Sequence, residues 1–365
     1  MNILPRLIFL FSSIPMQFPQ KWFRAINKEF TTFLWKEKRS RISLRKLSIP
    51  RKSGGLGVPD MYTYYLALNA QYPLTWAYKK DPCEIGSWSW LEQKVVLDTC
   101  KNISIASFWY KPKCDKRIQN PIIKFSCEIA QAIHKRLKIN GLSLPSCPIW
   151  NNLLFTAGGQ PLANDSWKNK NIRTLGQILH GAEIMPFQQL KTIFNLSDTH
   201  FFQYMQFKAI LSSFQFTNIN EYLDNQLQTA INSRNTVSKL YKLLSHGFFE
   251  YCGAIMEQWE KDLETNITEE EWETILRQSN YISKCVRYKL IQLKILFRSY
   301  ITPQKMYKMN CSASDLCWHG CGMTGTLIHL LWQCPEVKNF WGKIKDALLV
   351  IIVVYITVIV LFPKL

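Results

Sequence analysis

The sequence predicts a mainly α-helical protein that ends in a small cysteine-rich module and an apolar tail. Three observations predict this. Apolar residues recur at near-helical spacing, as in Trp22, Phe23, Ile26, Phe30, Phe33 and Leu34. Helix-start signals stand ahead of such runs, with Asp60 before a Tyr-rich stretch and Thr268-Glu-Glu-Glu271 before Trp272, Ile275 and Leu276. Four of the 11 cysteines, Cys311, Cys317, Cys321 and Cys334, fall within 24 positions.

Element by element, Arg6 precedes an apolar run of only five residues, Leu7 to Phe11, shorter than the ~7–15 of a secretory signal core. It reads as a core helix turn or strand. A helix follows over 20–35. Ser53-Gly-Gly-Leu-Gly57 breaks the chain, and Asp60 caps the next helix, which carries Tyr62, Tyr65, Leu66 and Trp76. Between 80 and 165, Pro82, Pro112, Pro121, Pro145, Pro148 and Pro161 interrupt the pattern, leaving short helices around 123–138. Helical signals return from 167, in Phe187–Phe194, in His200–Phe214, and behind a capping box at Thr268 and Glu271. Tyr281 to Tyr300 reads as one long basic helix.

Charge is unevenly distributed. The chain carries 45 Lys+Arg against 26 Asp+Glu, a net of +19, and residues 1–60 alone hold 12 against 3. Lys36, Lys38, Arg39, Arg41, Arg45, Lys46, Arg51 and Lys52 face the single acid Glu37. Such a stretch has the composition that neutralises phosphates, with strongly salt-dependent binding. Trp22, Phe33 and Trp35 are near enough in sequence to stack on bases, or else to be core. The same charges suit RNA or DNA, or an anionic membrane surface.

The sharpest local signal is Cys317-Trp-His-Gly-Cys321, then His329, then Cys334, a C-x3-C-x7-H-x4-C spacing. Three thiolates and one imidazole make a closed tetrahedral set for structural zinc. Reduced core thiols beside a buried His would have the same spacing, and Cys311 and His319 compete as ligands. Cys334 comes five positions after His329, so a continuing helix would carry Cys334 off the His329 face. Pro335 biases Cys334 toward an extended conformation that can turn the thiolate back. The other seven cysteines are dispersed, as in reduced intracellular proteins. There is no P-loop, no His-Glu-x-x-His, no Gly-x-Ser-x-Gly and no Asp-Asp pair for two-metal chemistry. An enzyme is therefore not expected.

Met1-Asn-Ile-Leu-Pro-Arg-Leu7, Phe33-Leu-Trp35 and Ser53-Gly-Gly-Leu-Gly-Val-Pro-Asp60, with the Tyr-rich helix, resemble the segment after the polymerase core of LINE-type non-LTR retrotransposon reverse transcriptases. Trp167 to Gln206, with Leu175-Gly176 and Phe187-Gln-Gln-Leu190, resembles that family's connecting region. Leu293 to Pro303, Ser314-Asp-Leu-Cys317-Trp318, Gly325-Thr326, His329, Trp332, Cys334-Pro335 and Phe340-Trp341 resemble its C-terminal cysteine-rich segment. The resemblance covers roughly residues 1–346, and its last motif is the most specific. It implies a basic thumb-like helical region over 1–85, a helical connecting region over 86–305 and a zinc module over 306–346. It also matches Cys317, Cys321, His329 and Cys334 to the family's ligands. The family's endonuclease and catalytic palm lie upstream of the matched segments. The resemblance thus implies a non-catalytic RNA- or DNA-binding part of such a polyprotein, nuclear or cytoplasmic.

The tail, 347–365, departs from that pattern. Ala347 to Phe362 is 16 uncharged residues. As a helix it would span about 24 Å, short of the ~30 Å hydrocarbon core of a bilayer. A short single-pass membrane span, a buried strand and a non-native extension are the alternatives. The remaining functional readings are a tail-anchored membrane protein and a pseudogene product.

Overall fold

The computed structural model describes residues 3–36, 40, 42–79, 87–181, 183–214, 216, 219–245, 250–279, 281 and 283–351. Helices dominate. Among the described residues the paired strands are two antiparallel ladders of two residues each, Thr156–Ala157 with Gln160–Pro161 and Leu179–His180 with Glu183–Ile184.

The chain divides into two compact units that interleave along the sequence. One comprises Met1–Phe30 and Pro59–Gly247; the other comprises Thr31–Val58 and Phe248–Leu365.

In the first unit the apolar start is a helix, Ile3–Ser13, followed by Gln20–Trp35, whose first part lies in this unit. Phe11, Phe18, Trp22, Phe23 and Tyr65 form an edge-to-face aromatic cluster. Helix Met61–Asn69 runs through this core. Its cap is the expected one: Thr63 N donates to Asp60 Oδ1 at 2.6 Å. The helix expected around 123–138 is Pro121–Leu137. Asn120 Oδ1 accepts from Ile122 N and Ile123 N, and Pro121 sits at the first helical position, where no amide is missed. Asp224 ties three parts of the unit together. Its Oδ1 accepts from Tyr78 Oη and Ser146 Oγ, each at 2.6 Å, and its Oδ2 from Ser146 N at 2.7 Å.

The second unit explains why the basic stretch belongs with residues far along the chain. Ile42, Leu47 and Ile49 are buried with Ile255, Trp272, Leu276, Leu293, Leu296 and Phe297. Four residues of helix, Leu44–Leu47, start at Ser43, whose Oγ accepts from Lys46 N. The glycine cluster then folds back. Gly57 N donates to Ile49 O at 2.9 Å, and Val58 N to Leu47 O at 3.0 Å. Gly54 and Gly57 take φ of +82° and +65°, and a Cβ on Gly55 would lie 2.0 Å from Ile49 O. Helix Glu269–Ser279 has the full capping box, with Thr268 N donating to Glu271 Oε2 at 2.9 Å and Glu271 N to Thr268 Oγ1 at 3.2 Å.

The long helix expected over Tyr281–Tyr300 is not formed. The helix is Val286–Leu296, preceded by a turn in which Cys285 N donates to Ser283 Oγ. It ends where Arg298 takes a left-handed φ of +51° and Ser299 N and Tyr300 N both fold back to Lys294 O. The last described helix, Pro335–Ile351, contains the first residues of the apolar tail. No helix among the described residues is long and apolar enough to cross a membrane. Residues 352–362 of the expected span lie outside the described residues.

Candidate metal centre

The knuckle begins as a tight hairpin. Leu316 and Thr324 form an antiparallel bridge, and Cys317 N donates to Met323 O at 2.8 Å. Gly320 and Gly322 take φ of +78° and +75°, conformations a side chain resists, so the chain reverses within four residues. That turn holds Cys317 and Cys321. Gly325 lets the hairpin press against the next support: a Cβ there would lie 2.5 Å from Pro303 Cγ, at the start of helix Pro303–Lys308.

The second half of the site is helical, but of unusual pitch. Thr326 Oγ1 accepts from His329 N at 3.1 Å and starts the turn. His329–Gln333 is then a π-helical turn, closed by Cys334 N donating to His329 O at 2.9 Å. In an α-helix five residues would leave Cys334 about 140° from His329. The wider i→i+5 turn brings it to about 50°. Cys334 itself is extended, φ −63° and ψ 127°, as the following proline requires.

Sγ of Cys317, Cys321 and Cys334 and a ring nitrogen of His329 lie within 4.8 Å of one another. Cys317 Sγ is 3.9 Å from Cys334 Sγ, and Cys321 Sγ is 3.1 Å from His329 Nε2. Two sulfurs held tetrahedrally at ~2.3 Å from a metal are about 3.8 Å apart, so these separations can close on one ion. Cys317, His329 and Cys334 are buried and Cys321 is half-buried. Burial pushes the Cys317 thiol up to about 11, while the N–H of Met323 holds Cys321 below its ordinary value. The competing ligands stand aside. Cys311 is exposed, and its Sγ contacts Met309 O at 3.4 Å. His319 Nδ1 lies 3.4 Å from Cys317 Sγ but is not among the four converging groups.

Around the site, Trp341 Nε1 donates to Leu331 O at 2.7 Å and its ring meets Trp332 edge-on at 5.0 Å. These contacts fix the following helix against the π-turn. The tip of the knuckle is apolar and open: Trp318 is 59% exposed and Met323 60%.

The basic stretch is only partly described. Lys38, Arg39 and Arg41 lie outside the described residues, as does Glu37. Lys36 and Arg45 are exposed. Arg51 is exposed and its Nε donates to Leu56 O at 3.3 Å. Lys46 is half-buried, with Nζ over the Phe297 ring at 5.7 Å from the centroid. Lys52 follows Arg51 in the same 3-10 turn. Of the three candidate stacking rings, Trp22 and Trp35 pack against cores and Phe33 is 81% exposed. No family model matches the chain.

Proposed function

We propose that this chain binds RNA or DNA without catalysing a reaction on it, as a LINE-type retrotransposon-derived unit whose cysteine module holds structural zinc. The single observation that supports this most is the composition of the second unit: the basic segment within Thr31–Val58 and the Cys/His knuckle belong to one compact body. A polyanion that lies along the basic segment then has exposed Trp318 within the same unit for stacking. Zinc is favoured over other metals by the donor set. Three thiolates and an imidazole are soft, tetrahedral ligands, and four protein ligands leave no open position for substrate. The zinc would hold the hairpin and the π-turn together and take no part in chemistry.

The test is RNA affinity of the full chain with zinc present, titrated across salt. Tight binding is expected, with an affinity that falls steeply with salt. Arg45→Gln and Arg51→Gln should each reduce the log–log slope by about one. Weak binding by the folded protein, indifferent to salt, would refute the proposal. DNA synthesis by the chain in a primer-extension assay would refute the non-catalytic part.

A further inference from the structure

His319 stands outside the four converging side chains, yet it is bound to one of them twice. The turn that follows Cys317 is closed by Gly320 N donating to Cys317 O at 3.2 Å, and Gly320 takes the left-handed φ of +78°. That turn holds His319 over the Cys317 sulfur. His319 N donates to Cys317 Sγ at 3.5 Å, and the ring Nδ1 lies 3.4 Å from the same atom. A thiolate sulfur can only accept, so the imidazole that meets it carries its proton on Nδ1. The ring is exposed and covers a sulfur whose own residue is 6% exposed.

The three sulfurs are thus unequal. Cys334 is fully buried. Cys317 takes a side-chain donor as well as a backbone one. Cys321 is half-buried, and outside the four converging groups its Sγ meets backbone N–H groups, those of Met323 and of Cys321 itself. A metal-bound thiolate keeps negative charge and nucleophilicity on sulfur. Each N–H that points at it draws on that charge and holds the ligand in place.

We propose that His319 is a positioning residue of the metal centre, which fixes the Cys317 thiolate and lowers its reactivity, leaving Cys321 as the thiolate at which a soft alkylating electrophile opens the site. This rests on the zinc reading above and adds to it which ligand is protected and which yields.

The probe is excess iodoacetamide, added to the full zinc-loaded chain and sampled over time. Sulfur forms the new S–C bond, the C–I bond breaks, iodide leaves, and the neutral thioether no longer holds the metal. A chromogenic chelator follows released zinc. Peptide mass spectrometry reads each cysteine, with exposed Cys311 as the internal reference. Among the four ligands Cys321 should be alkylated first, together with zinc release. His319→Phe keeps a ring of similar size without its N–H, and should raise the rate at Cys317 relative to Cys311 about tenfold. His319→Asn returns an N–H close to the Nδ1 position and should restore the parent rate. His319 is exposed, so neither substitution disturbs a packed core, and circular dichroism and zinc content establish that each variant is folded and loaded. A parent chain that reacts at Cys317 as readily as at Cys321 overturns the inference. So do equal Cys317 rates in the Phe and Asn variants, and so does loss of most of the zinc on His319→Phe, which would make His319 a ligand. All three leave the zinc reading standing. A folded parent chain that retains no zinc overturns that reading and this inference with it.

Discussion

Glu92 sits where a carboxylate is hardest to ionise. It is buried in the core patch around Trp76, Val96, Phe108 and Ile123, and its Oε2 accepts from Trp76 Nε1 at 2.8 Å. Burial raises its pKa from 4.5 to about 7, against the opposing effect of the Trp76 bond. Below pH 4.5 the folded and unfolded chains both hold the proton, and Glu92 makes stability no different. As pH rises above 4.5 the unfolded chain releases its proton while the folded chain keeps it, so stability falls. The fall levels off above pH 7, once both states are ionised. At 1.36 kcal/mol per tenfold, the full window is worth about 3 kcal/mol, of which about 2.5 kcal/mol falls between pH 5 and pH 8. Glu92→Gln keeps an acceptor for Trp76 and removes the titration. Urea unfolding of both proteins at pH 5 and pH 8 isolates the effect, because other groups, including His134, cancel in the comparison. The variant should gain about 2–3 kcal/mol on the parent as pH rises across that range. Parallel pH profiles for the two proteins would refute the burial argument.

Two further expectations concern the metal module and the first unit. On the zinc reading proposed above, Cys334→Ala removes one of the four converging side chains, at a fully buried position, so the purified chain should fall from about one zinc per molecule to well under half that after dialysis. Equal zinc content by elemental analysis would place the ligands elsewhere. Asp224→Ala strands Tyr78 Oη and Ser146 N, while Ser146 Oγ keeps Tyr110 Oη at 2.9 Å. At ~1–3 kcal/mol for each of the two groups left unpaired, unfolding free energy should drop by about 2–4 kcal/mol. A loss below 1 kcal/mol in urea would show that water replaces the carboxylate.

Much of this protein is written in short sequence windows. The caps at Asp60 and at Thr268 with Glu271, the helix Gln20–Trp35 and the chain reversal at Gly54 to Gly57 follow from hydrogen bonds and backbone conformations among residues a few positions apart. The spacing of Cys317, Cys321, His329 and Cys334 likewise named the residues that converge. What it left open was Cys311 or His319 as rivals, and how Cys334 returns to the His329 face. The π-turn decides that, and no propensity announces a π-turn.

Tertiary structure alone decided the rest. Tyr281–Tyr300 has helical composition throughout, yet only Val286–Leu296 is helix, because the chain turns out at Arg298. Trp22, Phe33 and Trp35 look alike in sequence, but two pack against cores and one faces solvent. The basic stretch reads as a feature of the N-terminal region, yet Ile42, Leu47 and Ile49 find their apolar partners more than two hundred positions later. Local hydrogen bonds depend on neighbours that the sequence displays side by side. Burial depends on whichever distant surface excludes water from a side chain, and that surface exists only once the chain has folded.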